Sequence, residues 1–367
     1  MHRVLVLNDT IGSDNFGCKL VSNALRKVLN KYYPESEIEF IGFKCRPKNL
    51  PQNEPDVVII NGEGSYGWHL DRLPDGFRNL SNIVNKFFDR GIPVHLVNAS
   101  IQISFNQLQE VLPFLRKFHT IGLREPISYL FLYRNTNLTN IRLYPDLGTA
   151  YFEEETVVKK TDFCFGFGAL GKEINSIPSK VDSYFRVINN LKEEGYSINY
   201  LGFPGNPFSD GSLAKQYTKD IHIEESTFDN YYHYVKEAKI NVTGRHHGAV
   251  MSFAGKTPFM TFESNMWKTE GDQFLYGPFD YFRFRDLNED QLTSYCIDSL
   301  SRFKPQHQLL QDRYDDLKPM FEGHIICTLG EFTDVVERGL VDLDEVERNT
   351  QQLYYLNLDK YELSKKI

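Results

Sequence analysis

The sequence predicts an α/β protein made of two doubly wound units, each a parallel sheet covered on both faces by helices. Three observations predict this. Apolar runs of strand length alternate with segments whose apolar residues recur at helical spacing, first up to about residue 155 and again from Asp162 onward. At 367 residues the chain is longer than one core usually supports. A charged break, Glu153-Glu154-Glu155 through Lys159-Lys160, falls between the two alternating stretches and is assigned to the linker. Residues 1–155 are thus expected to form an N-terminal domain and 160–330 a second, with 331–367 a C-terminal helical extension.

In the first domain Val4 to Leu7 is a strand followed by the polar loop Asn8 to Gly17, and Leu20, Val21, Ala24, Leu25, Val28 and Leu29 mark a helix. Ile38 to Phe43 and Val57 to Ile60 are strands, the latter entering Asn61-Gly62-Glu63-Gly64-Ser65. Leu80, Ile83, Val84 and Phe87 give a helix, Val94 to Val97 a strand, and Leu108, Val111, Leu112 and Leu115 another helix. Thr120 to Leu123 is a strand that ends in Arg124-Glu125-Pro126, with Pro126 suited to open a helix. In the second domain Asp162 to Phe167 and Ile198 to Phe203 are strands flanking a helix with Val181, Tyr184, Phe185, Ile188 and Leu191 on its face. Thr227 to Glu237 is helical, and from about Asn288 the chain is helical and more polar. Val341 to the end is expected to pack by one helix face, on the first domain or on another subunit.

The chemistry concentrates in Ile240 to Phe262, INVTGRHHGAVMSFAGKTPFMTF. An apolar-alternating strand (Ile240, Val242) stops at Gly244, Arg245, His246 and His247 follow, and small and apolar residues continue to Gly255, so the stretch reads as strand, tight turn and helix. The first N–H groups of such a helix lack partners within it, and its dipole end is positive, which suits an anion. Arg245 adds a fixed charge and the two imidazoles can move protons near neutral pH. The bland alternative is a cap and a surface charge. Loop residues after the other strands, Asn8, Asn15, Gly62, Glu63, Ser65, Asn98, Ser100 and Arg124, lie where ligands bind in doubly wound sheets, although turn chemistry places the same residue types there. Lys268, in the polar loop after Phe262, is placed to neutralise the same anion as Arg245 or to be solvated.

Forty-one Lys and Arg against 49 Asp and Glu give a net charge of −8, which argues against a nucleic-acid footprint. Five scattered cysteines without a C-x-x-C fit free thiols in a reducing compartment. No signal peptide or stretch of membrane-spanning length is evident, and a cytoplasmic location is expected. No G-x-G-x-x-G or G-x-x-x-x-G-K-[ST] occurs. A metal site is not expected, because adjacent His246 and His247 on a regular helix should not face one ion and no acidic pair stands at ligand spacing beside them.

The stretch GRHHGAVMSFAGKTPFMTF with the later Lys268 resembles the G-R-x-H-G signature of the polysaccharide pyruvyl transferase family. Leu123-Arg124-Glu125-Pro126-Ile127-Ser128 is similar to that family's R-E-x-x-S, Asp146 in LYPDLGTAY also matches, Asn61 to Ser65 looks like its glycine-rich loop, and Asn15-Phe16-Gly17 resembles its N-x-G. Cys18 and Glu63 depart from the pattern, where an acidic residue and a glycine are usual. The resemblance implies a GT-B-like pair of Rossmann-type domains with a cleft between them and phosphoenolpyruvate as donor, with no further cofactor. The product would be a pyruvate ketal on a hexose of a lipid-linked or nucleotide-linked precursor of a cell-surface polysaccharide, such as an exopolysaccharide or capsule. It implies His247 and Arg245 as catalytic residues, and Arg124, Arg245, Lys268 and Gly244 around the donor. Asn15, Glu63, Ser65 and His246 fall to the acceptor side, with His246, at the signature's variable position, pointing away from the chemistry or supporting the acceptor. Peripheral membrane contact through the acceptor and a homo-oligomer are compatible with this reading. A GT-B glycosyltransferase with a nucleotide-sugar donor and a non-catalytic carbohydrate-binding protein are the alternatives.

Overall fold

A computed structural model describes residues 2–42, 50–51, 53–63, 75–155, 157–168, 178–202, 223–225, 227–262, 267–277, 281–282, 288–331 and 333–350. The chain divides into two compact units. One comprises Met1–Gly12, Val21–Leu147 and Pro319–Ile367, the other Ser13–Leu20 and Gly148–Lys318.

The sheet of the first unit contains β1 (Arg3–Asp9), β2 (Glu37–Gly42), β3 (Val57–Asn61), β4 (Val94–Ala99), β5 (Thr120–Leu123) and β6 (Ile141–Leu143). The strands run parallel in the order β2-β1-β3-β4-β5-β6. Helices α1 (Phe16–Tyr32), α2 (Asp75–Phe88), α3 (Phe105–Leu115) and α4 (Pro126–Asn135) alternate with them. Every residue of β3 and β4 is buried, as expected of strands covered on both faces. β6 is short and carries a half-buried arginine, Arg142, which hides it from a reading based on apolar runs.

The second unit holds β7 (Thr161–Gly166), α5 (Pro178–Glu193), β8 (Ile198–Gly202), β9 (Ile223–Glu225), α6 (Phe228–Glu237), β10 (Ala238–Thr243), α7 (His246–Ala254), β11 (Phe259–Phe262), α8 (Lys268–Tyr276), β12 (Tyr281–Phe282), α9 (Glu289–Ser301) and α10 (Phe303–Leu317). Its strands are also parallel, in the order β12-β11-β10-β7-β8-β9. The order reverses between β7 and β10, and doubly wound sheets place their ligand crevice at such a switch point. Phe163, Phe165, Phe167, Tyr184, Phe185 and Phe262 fill the core beside it, which accounts for part of the chain's aromatic load.

The charged stretch read as a linker is tied down within the second unit. Glu154 pairs with Lys256 and Lys318, Glu155 with Lys236, and Lys160 with Glu237. The division between the units falls just ahead of that stretch, at Leu147/Gly148. Beyond α10 the chain rejoins the first unit through α11 (Gly323–Ile326), and Arg134 of α4 meets Glu347 at 2.6 Å. Among the described residues no helix is long and apolar enough to cross a membrane.

Candidate functional site

In the second unit, the switch point is closed by two glycines. Gly244 follows β10 and Gly168 follows β7, and a Cβ on Gly244 would lie 2.2 Å from the Phe262 ring and 2.7 Å from Gly168 Cα. No side chain fits there, so a glycine at 244 allows the close packing of the turn. Gly248 has a related duty: a Cβ on it would meet Thr243 Oγ1 at 2.4 Å, so a glycine lets α7 settle on β10. Asn241 inside β10 donates to Ser252 Oγ at 2.6 Å and fixes the same packing from below the turn.

Arg245 is the N-cap of α7, in extended conformation, and its side chain makes no capping bond. It is half-buried, and its backbone N–H donates to Thr243 Oγ1 at 3.2 Å. The guanidinium thus stands at the positive end of a nine-residue helix, beside the switch point.

His246 departs from expectation. It is 2% exposed, not open to an acceptor in the described structure, and its Nδ1 lies 2.9 Å from Oδ2 of Asp272, itself fully buried. A carboxylate only accepts, so Nδ1 carries the proton. His247 packs edge-on against His246, ring centroids 4.9 Å apart at 66°. Adjacency on the helix therefore does not send the two rings apart, which removes the geometric ground on which the sequence argued against a shared ion. On its other side His247 faces Gly17, where a Cβ would fall 2.0 Å from Nδ1. The glycine of N-x-G is thus required by the imidazole. Asn15, exposed, accepts from Gly17 N–H at 2.9 Å through Oδ1 and shapes the start of α1, which is turn chemistry.

Lys268 is the first residue of α8, not part of a loop as the sequence suggested, and Asp272 stands four residues on, along the same helix face. Asp272 was missed by sequence reasoning. Once 268–276 is read as helical, the Lys-x-x-x-Asp spacing is the signal that points to it.

In the first unit, Arg124, expected around the donor, is engaged by two neighbouring side chains. It is 1% exposed; Nη1 donates to Asp146 Oδ2 at 2.8 Å and Nε to Ser100 Oγ at 3.0 Å. Asn98 donates to the same carboxylate oxygen at 3.3 Å and accepts from Leu147 N–H at 2.8 Å. Asn98 adopts φ 57° and Asn8 φ 61°, a left-handed conformation that asparagine tolerates better than most residues. The rest of R-E-x-x-S builds the turn. Glu125 caps α4 by accepting from Ile127 and Ser128 N–H, and Ser128 Oγ accepts from Ile101 N–H at 2.8 Å. Pro126 opens the helix as expected. His324 of α11, also missed, accepts from Asn98 N–H at 3.2 Å through Nδ1; its partners lie some two hundred residues away in the chain, and no local pattern announces it.

Glu63 is buried, accepts from Thr10 Oγ1 at 3.2 Å, and its own N–H donates to Asn61 Oδ1 at 3.1 Å. Ser65 lies outside the described residues.

These two parallel sheets define a GT-B-like enzyme scaffold. The chain is similar in fold to Staphylococcus aureus MnaA solved with UDP, at TM-score 0.59 and 12% identity over 91% of this chain and 99% of that one. It is also similar to a putative UDP-N-acetylglucosamine 2-epimerase from Listeria monocytogenes (TM-score 0.57, 10% identity, 84% and 90% of the chains) and to Acinetobacter baumannii MurG (TM-score 0.50, 11% identity, 89% and 99%). No curated protein sequence matches. Residues 15–265 match the model of one family, and the chain belongs to it: the polysaccharide pyruvyl transferase family.

Proposed function

We propose that this protein is a phosphoenolpyruvate-dependent pyruvyl transferase that forms a ketal on a sugar of a cell-surface polysaccharide precursor. The observation that carries the reading is the Arg245-His246-His247 cluster at the start of α7, within the family match and beside the reversal of strand order.

Phosphoenolpyruvate brings a phosphate and a carboxylate. A guanidinium matches such anions bidentately, and the helix N-terminus adds backbone donors. Arg245 and Lys268 supply the cations in this proposal. In the reaction C3 of the enol takes a proton and becomes methyl. Two acceptor hydroxyls add at C2, each losing its proton, and the C2–O bond to phosphate breaks. One hydroxyl proton balances the methyl and the other leaves with inorganic phosphate. His247 is the group that moves these protons, a role typically contributing about 10²- to 10⁴-fold in rate. Charge neutralisation by Arg245, Lys268 and the helix terminus gives the phosphate a way to leave without a further cofactor. The acceptor is a hexose on a lipid or nucleotide carrier, and the buried Glu63, where the family usually has glycine, is proposed to shape its choice.

The test is calorimetry of phosphoenolpyruvate with the wild type and Arg245→Ala. Binding that is lost in the variant supports the reading. Stabilisation by nucleoside diphosphates and none by phosphoenolpyruvate, with an acceptor glycan present, overturns it in favour of a nucleotide-sugar glycosyltransferase.

A further inference from the structure

We propose that Asp272 and His246 are positioning residues that hold the His247 ring in its working orientation; the inference rests on His247 being the proton-transfer group. The reasoning begins at the sheet. Gln273 donates to Thr261 Oγ1 at 2.7 Å and thereby pins α8 to β11. The next residue back, Asp272, presents its carboxylate to His246 Nδ1 at 2.9 Å, and both groups are buried from water. A charge-assisted hydrogen bond in such surroundings fixes both the ring plane and the tautomer of His246. The fixed ring forms one wall against His247, edge-on at 4.9 Å, and the backbone at Gly17 forms the other. His247 stands in a slot between an anchored imidazole and a residue with no side chain.

A slot of this kind matters for this chemistry. One imidazole nitrogen must reach an sp² carbon and a hydroxyl, and a displacement of about 1 Å can cost on the order of 10²-fold in rate. Asp272 and His246 need not touch the substrate to act in this way. Their effect falls on turnover and on the state of the rings, and leaves the donor anion site at Arg245 intact.

The experiment compares full-length wild type with Asp272→Asn by two readouts. Imidazole ¹H–¹⁵N correlation spectra report tautomer and environment of both rings without reference to any substrate. Steady-state pyruvyl transfer reports kcat and KM for phosphoenolpyruvate. The expected result is loss of the low-field His246 Nδ1 proton signal, displaced His247 ring shifts, kcat lower by about 10- to 100-fold, and KM within about twofold of wild type. Unchanged His247 ring shifts in Asp272→Asn overturn the inference, whatever the activity. Displaced rings in a protein whose wild type transfers no pyruvyl group overturn the functional reading and leave the slot standing. Should Asp272→Asn fail to fold, Asp272→Glu carries the same spectra, with a shifted His246 signal expected and unmoved rings refuting.

Discussion

His95 and His324 are buried in the first unit as neutral imidazoles, each pushed down to about 3 from an ordinary 6.5, His95 by burial and by neighbouring His119, His324 by burial above all. The geometry agrees for His324, whose Nδ1 accepts from Asn98 N–H and so has no room for a proton. His95 Nδ1 lies 2.7 Å from Thr120 Oγ1. The unfolded chain binds a proton at each histidine below pH 6.5 while the folded chain refuses it, so their stabilisation is complete above that pH and is lost as pH falls toward 3. Each pH unit costs about 1.4 kcal/mol per histidine, so a change from pH 6.5 to 5 removes about 2 kcal/mol from each and about 4 from the pair. Hydrogen exchange at the β4 and β5 amides between pH 7 and 5 reads this in the first unit alone. His95→Gln should halve the slope of protection against pH over that window. A slope equal to that of wild type in both His95→Gln and His324→Gln would refute the reasoning.

Two further outcomes are expected. Gly17→Ala forces a methyl into the His247 ring and should lower pyruvyl transfer at least tenfold, whereas Gly12→Ala, where a Cβ meets nothing within 4 Å, should leave it unchanged; turnover assays of the two variants check this. Asp146→Ala abandons the buried Arg124 guanidinium and should cost about 3–5 kcal/mol in urea unfolding, while the paired change Arg124→Met with Asp146→Leu should cost less, since no lone charge is left.

Much of the fold was legible. Strands buried on both faces, β1 and β3 among them, are written as apolar runs and β10 as an alternating one, and the glycine after β10 marks the turn that carries the site. β6, β9 and β12 were not legible, because each is two or three residues long and owes its conformation to pairing with a neighbouring strand. The same division holds for the site. Arg245 and His247 announce themselves by lying together in a turn, and the structure keeps them there. Arg124 looked like their equal and is paired with Asp146, a residue the family resemblance named without revealing the pairing. The partner of His246, Asp272, was not foreseen because it lies beyond the next strand, on a helix the sequence reading did not assign. Local signals name the residues at a turn, and only tertiary packing says which of them remain available.

The turn after β5 bears on descent as well as on chemistry. Glu125 and Ser128 close the start of α4 and join it to Ile101, a task indifferent to what the protein catalyses. A duplicated gene that changed its reaction would still be held to both residues by the demand to fold, while Arg124 and Asp146 could be exchanged together for an apolar pair. Retention of the acidic and hydroxyl positions therefore records common ancestry of a turn. Drift at the arginine, moving in step with the aspartate, would record only that a buried ion pair and an apolar pair fill the same space.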